Sequence, residues 1–260
     1  MDNGRFVILI AVLVGEAAAA QSPPVNQRAP ATPGIVARRE FPMTFVRNQC
    51  PEFTEVKRGD EPGDLRDCFV SESGEFGSTD GQTYYYTLYC LIPNYASDNG
   101  RCNDGSFNAS YHRQRGLAIF VRDASSSGAR LLFERVAGQI GALYYEQPQI
   151  IRAAAGTLLY LPVAADGTGH INESEYFLRD RGEWVPVEAE KWLDDLRRRI
   201  PAGLEIWKGV WPNLQTMNAV AGLYRSGDAN CCPTGGKARI GLAIRSRHLV
   251  IESLVIEEVQ

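Results

Sequence analysis

The chain has 260 residues, a formal net charge of −4, 44% apolar and 10% aromatic residues, and six cysteines. That apolar share excludes a disordered polyelectrolyte and suffices for a packed core in one sizeable domain or two small ones. The slightly acidic balance, with no basic stripe, argues against nucleic acid as a partner.

Residues 1–20 read as a secretory signal peptide. Arg5 supplies a basic n-region, Phe6 to Val14 is uninterrupted apolar sequence, and Ala18-Ala19-Ala20 stands in the A-x-A position before Gln21. Such an h-region rises only about 13 Å as a helix, under half of the roughly 30 Å hydrocarbon core. No cysteine follows the cleavage site to accept a lipid, and no later stretch is long and apolar enough to span. The expectation is cleavage after Ala20, release into the periplasm or the medium, and no membrane span.

Residues 21–43 are rich in Pro and Ala without hydrophobic periodicity and read as an extended linker. Residues 44–115 form a cysteine-containing N-terminal part and residues 116–260 a β-rich C-terminal part, with 44–260 also readable as one domain. In the first part Tyr84 to Ile92 is the clearest strand. Tyr95 and Tyr111 suggest a sugar-stacking platform, against which stands the usual packing role of tyrosines in a sheet.

From Gly116 the pattern becomes a β-meander. Leu117 to Arg122 and Ala129 to Val136 flank a Ser- and Gly-containing hairpin loop, 124–128. Gln149 to Arg152 and Thr157 to Val163 flank a turn at Ala154-Ala155-Gly156, and Glu175 to Arg179 and Glu183 to Val187 flank Asp180-Arg181-Gly182. One amphipathic helix is predicted over Glu188 to Ile200, with Ala189, Trp192, Leu193, Leu196 and Ile200 on one face and Pro201 as its stop. Leu204 to Lys208, Ala219 to Arg225, Ala238 to Ile244 and His248 to Ile256 read as further strands. The fold class is therefore mainly β (α+β), antiparallel, with one clear helix and disulfide stabilisation. Leu88-Tyr89 before Gly116-Leu117-Ala118-Ile119 is echoed by Leu223-Tyr224 before Gly241-Leu242-Ala243-Ile244, which hints at two related β halves.

Cys50, Cys68, Cys90, Cys102, Cys231 and Cys232 are an even set that reads as three disulfides in an oxidising compartment. Cys50–Cys68 and Cys90–Cys102 are favoured, since each closes a short polar loop. Neighbouring Cα atoms lie about 3.8 Å apart, below the usual 4.4–6.8 Å of a bridge, so a Cys231–Cys232 ring needs an accommodating loop. Asp228-Ala229-Asn230-Cys231-Cys232-Pro233-Thr234-Gly235-Gly236, preceded by Gly227, supplies one: Gly and Asn tolerate positive φ and Pro233 pre-sets a turn. The vicinal ring is placed ahead of two long-range bridges to the N-terminal part, and both ahead of metal binding by adjacent thiolates. Asp228, Asn230, Cys231, Cys232, Pro233, Thr234, Gly235 and Gly236 form the candidate functional loop.

No catalytic residue, metal ligand set or cofactor motif stands out. G-x-S-x-G, S-x-x-K, H-E-x-x-H, Walker A, G-x-G-x-x-G and C-x-x-C are absent. His112, His170 and His248 are isolated, and the calcium-loop likeness of Asp166 to Glu173 fails at Thr168 and His170. Asn108 and Asn172 are sequons, relevant in a glycosylating host. Gly167-Thr168-Gly169-His170-Ile171-Asn172, Gly182-Glu183-Trp184 and above all the N-C-C-P-T-G-G string of residues 230–236 resemble uncharacterised exported proteins of Gram-negative bacteria. The resemblance implies a periplasmic or secreted location and no known activity. Three functions follow, in order: a non-enzymatic binding or interaction module of unknown partner, a redox or metal-handling protein acting through Cys231-Cys232, and a hydrolase using unmarked carboxylates.

Overall fold

In the computed structural model, residues 40–48, 65–93, 114–136, 143–165 and 172–257 are described. Strand pairing dominates them, and every pair of strands is antiparallel. The fold is mainly β, with two helices among the described residues. The signal-peptide and linker residues up to 39, Cys50, Tyr95, Cys102, Asn108, Tyr111, His112 and residues 166–171 of the calcium-like loop lie outside the described residues.

The first sheet has five strands. β1 (Glu40–Pro42) starts it, followed after helix α1 (Met43–Asn48) by β2 (Leu65–Thr79), β3 (Gln82–Pro93), β4 (Gln114–Asp123) and β5 (Gly128–Val136). They lie in the order β1-β5-β4-β3-β2. Asp80 and Gly81 both take positive φ, which matches the hairpin twist and joins β2 to β3 in two residues. β2 is a long edge strand, and three register breaks interrupt its pairing with β3. Such bulges blunt an edge that would otherwise template another chain.

The next strands are β6 (Leu143–Tyr145), β7 (Gln149–Ala153), β8 (Gly156–Leu161), β9 (Val163–Ala165), β10 (Glu175–Asp180) and β11 (Glu183–Val187). β6 pairs with β9, and the others form a four-stranded sheet ordered β11-β10-β8-β7. Successive side chains of a strand point to opposite faces. Here both faces are apolar. Leu159, Leu161, Phe177 and Trp184 meet Tyr84, Tyr86, Leu117, Ile119, Val121 and Phe133 of the five-stranded sheet. Leu158, Tyr176 and Val187 face the other way, into a second core.

That second core is closed by helix α2 (Lys191–Arg199) and a three-stranded sheet of β12 (Asn218–Gly222), β13 (Lys237–Arg245) and β14 (His248–Glu257), ordered β12-β13-β14. Trp192 and Leu196 of α2 are buried in it beside Ala219, Ala221, Ala238, Ile240 and Leu249. A third core on the far face of the five-stranded sheet joins Tyr85, Tyr89, Phe120 and Leu131 to Phe41 of β1 and Val46 of α1.

Several sequence expectations shift in detail. The helix is shorter than Glu188 to Ile200: Glu188 hydrogen-bonds to Arg247 and Leu249 through its backbone and so belongs to the edge of β14. Leu204 to Lys208 is no strand, since it makes only one isolated bridge, Glu205 with Tyr224. Glu40–Pro42, within the linker reading, pairs with Gly128–Arg130. The echo of Leu-Tyr and Gly-Leu-Ala-Ile is not repeated in register. Tyr89 lies opposite Gly116 and its ring occupies the space a Cβ there would need, whereas Gly241 lies opposite Asn218 and Ser253.

A polar cluster ties the first two sheets at one end. Arg179 of β10 donates to Asp80 at 2.9 Å and to Gln82 Oε1 at 2.9 Å, and lies over the Trp184 ring at 5.1 Å. Gln82 Oε1 also accepts from Tyr84, and Gln82 Nε2 donates to Asp123. Only 11% of the Arg179 side chain is exposed. Arg179→Met should therefore cost about 1–3 kcal/mol in urea unfolding by stranding Gln82 and Asp80. Arg179→Lys should restore little, because a point charge cannot serve both acceptors and the ring face. Full recovery with lysine would show that charge alone matters.

Candidate functional site

The candidate loop leaves β12 at Gly222 and returns at β13. Its base is a short backbone ladder: Leu223 N–H donates to Gly236 O at 3.0 Å and Gly235 N–H to Leu223 O at 2.8 Å. Gly227 and Gly236 take positive φ. Gly235 serves a different need, close approach, because a Cβ there would fall 2.7 Å from Leu223 O and 2.6 Å from a Leu204 methyl. The Pro233 ring lies against Gly222 in the same way, 3.0 Å from where a Cβ would sit. The loop is thereby folded onto the strand it leaves.

Asp228 organises the loop interior. Its Oδ2 accepts the N–H of Arg225 at 2.7 Å and of Thr234 at 2.8 Å, and its Oδ1 accepts the Thr234 hydroxyl at 2.6 Å. Arg225 Nη1 in turn donates to Thr234 O at 2.7 Å. This cross-loop arrangement makes the carboxylate a structural hub. The Thr234 hydroxyl, then its N–H, then that of Arg225 hold the Asp228 carboxyl below its ordinary value.

Cys231 and Cys232 are joined to each other, with Cα atoms 3.8 Å apart, so the vicinal reading holds over long-range bridges and paired thiolates. Both residues are exposed, at a turn closed by Cys232 N–H donating to Ala229 O at 2.9 Å. A ring this small restricts the unfolded chain least, contributing on the order of 1 kcal/mol against roughly 3 for a fifteen-residue loop. Cys68 and Cys90 are also disulfide-bonded. The expected partners, Cys50 and Cys102, lie outside the described residues.

The structure adds residues that sequence reasoning did not select. Leu204–Trp207 runs antiparallel to Leu223–Arg225, with Glu205 and Tyr224 exchanging both backbone hydrogen bonds at 2.9 Å. Tyr224 is buried; its hydroxyl donates to Asn230 O at 3.1 Å, and its ring stacks under Trp207 at 4.4 Å and 16°. Trp207 Nε1 is pinned to Glu205 Oε2 at 2.7 Å. Trp207 and Trp211 nevertheless stay 41% and 47% exposed.

The Asn172 side chain fixes this second segment. Its Oδ1 accepts Val210 N–H at 2.9 Å and its Nδ2 donates to Val210 O at 2.5 Å. That sequon amide is thus engaged like a strand partner. The available signal for the tryptophans was Trp207-Lys208-Gly209-Val210-Trp211-Pro212, two indoles in a Gly- and Pro-punctuated stretch with no strand period.

His248 lies 3.1 Å from Glu188, on the α2 side of β14. Among the described residues no group of three or more His, Cys, Asp and Glu could hold a metal ion, and no helix is long and apolar enough to cross a membrane. No family model, curated protein or solved structure matches the chain.

The low Asp228 value sets a pH window. A depressed carboxyl contributes order above its unfolded value and loses it as pH falls through the folded one. The Arg225 and Thr234 amide NMR shifts should follow a single titration whose midpoint lies below that of an ordinary aspartate. Thr234→Val removes the leading donor and should bring that midpoint back toward the ordinary range. Unchanged titration in the valine variant would mean that the backbone amides alone hold the carboxylate.

Proposed function

We propose that the protein is an exported, non-enzymatic binding module whose contact surface is the 228–236 loop together with Trp207 and Trp211. One observation carries the reading. The reactive groups of the loop are committed to structure, while Trp207, stacked on the tyrosine that holds the Asn230 carbonyl, and Trp211 keep 41% and 47% of their surface exposed. Asp228 spends its oxygens on Arg225 and Thr234, and the two sulfurs are joined to each other. Neither a base nor a thiolate nucleophile is on offer. Exposed tryptophans on a preformed support bury much apolar area at little entropic cost when a partner covers them.

Export is supported by the signal-like sequence of residues 1–20 and the resemblance of the 230–236 string to exported proteins. Disulfides at Cys68, Cys90, Cys231 and Cys232 suit the same compartment.

Thermal-shift screening with soluble glycans, peptides and peptidoglycan fragments, beside ester, peptide and glycoside turnover assays, tests the proposal. A ligand should stabilise the wild type and shield its tryptophans from acrylamide. Trp207→Ala/Trp211→Ala should lower the unliganded melting temperature by a few degrees, stay folded by circular dichroism, and lose about tenfold or more in affinity. Turnover of any substrate, or equal binding by the double variant, would overturn it.

A further inference from the structure

We infer that Cys231–Cys232 is a thiol–disulfide exchange site for dithiol reductants, and that opening it loosens the Trp207 surface. Accessibility is the first ground. Both cysteines are exposed, whereas Cys90 is 1% exposed in β3 and Cys68 is half-buried in β2. Exchange needs a reductant thiolate to reach a sulfur, and both sulfurs of the vicinal pair belong to exposed residues.

Adjacency selects the class of reductant. A thiolate attacking one sulfur forms a mixed disulfide and expels the neighbouring cysteine as thiolate. That thiolate remains one residue away, so with a monothiol it attacks the mixed disulfide and recloses the ring. A dithiol escapes this reversal. Its second thiol attacks its own sulfur in the mixed disulfide, leaves as a cyclic disulfide, and releases the first cysteine. Two electrons and two protons pass from the dithiol, leaving two cysteine thiols.

The consequence is local because the supports of the loop do not run through sulfur. The Leu223 ladder and the Asp228 cluster survive opening. The ring that stiffens the 229–232 turn does not, and Asn230 in that turn supplies the carbonyl that Tyr224 holds. Tyr224 is the platform under Trp207, so the indole loses part of its fixed support. The regulatory meaning rests on the binding reading above. The exchange chemistry does not, since thiol labelling is read without any ligand.

The oxidised full chain is treated with dithiothreitol or glutathione at matched thiol concentration, alkylated, and mapped by peptide mass spectrometry. Tryptophan emission and acrylamide quenching are followed in parallel. Dithiothreitol should expose Cys231 and Cys232 about tenfold or more sooner than Cys90, and glutathione should leave the pair closed. Emission should change on opening with far-ultraviolet circular dichroism unaltered. Cys231→Ser/Cys232→Ser should show the opened emission from the start and ignore dithiothreitol. Opening no sooner than the Cys90 bridge, or equal opening by glutathione, refutes the exchange site. Opening of the wild-type pair without a change in emission or quenching refutes its link to Trp207.

Discussion

The constraint on which the other layers depend is that β7, β8, β10 and β11 are apolar on both faces. Leu158 and Leu159 are adjacent and both fully buried, which a strand achieves only when a layer covers each side. On one side the long β3–β4–β5 meander supplies Tyr84, Leu117, Ile119 and Phe133. On the other, α2 and the three-stranded sheet supply Trp192, Leu196, Ala219 and Ile240. The small alanines of β12 and β13 suit that second core, because helix and sheet both press on it. Position of the candidate loop follows directly, since it is the connection between β12 and β13.

Tyrosines finish the edges of these cores. Tyr86 donates to Glu72, Tyr89 to Glu134 at 3.0 Å and Tyr145 to Glu175 at 2.8 Å, and Glu175 also meets Arg135 at 2.7 Å. Each ring is buried while its hydroxyl reaches an acceptor toward the rim. For Tyr145, burial first and then the Glu175 charge push the phenol well above its ordinary value, so it stays a neutral donor. The abundance of tyrosine in β3 is accounted for by packing. Tyr224 applies the same device to Asn230 O, and so connects a core residue to the 228–236 loop.

What was legible in the residues follows the strength of local signals. Gly182 after Asp180-Arg181 announced a tight turn, and the apolar face of α2 announced a helix, because both are decided within a few residues. Ser246-Arg247 makes a two-residue turn of the same kind with both residues at positive φ and no glycine to reveal it. β2 was hidden because its sequence is polar and interrupted by Gly74 and Gly77; its strand state is imposed by pairing with β3. Leu204 to Lys208 misled in the opposite way. Its apolar residues suit a strand, but they serve Gly235 through Leu204 and Tyr224 through Trp207. Glycine, asparagine and proline marked the 228–236 loop as irregular. Its link to Trp207 required Tyr224 to be seen in place, a contact across seventeen residues that no local pattern encodes.

Within that loop two kinds of restraint act on different atoms. Asp228 gathers Arg225 and Thr234, which are nine residues apart, and so fixes where the loop begins and ends. The disulfide joins residues already joined by a peptide bond and adds almost nothing to that closure. Its effect falls on the stiffness of the single turn that carries Asn230. A bridge meant for global stability would span distant strands, where loop closure contributes most. One that spans a single peptide, exposed and beside a stacked aromatic pair, is placed where only local shape depends on it. The bond therefore restrains one turn, while the layers beneath it are held by their own buried side chains.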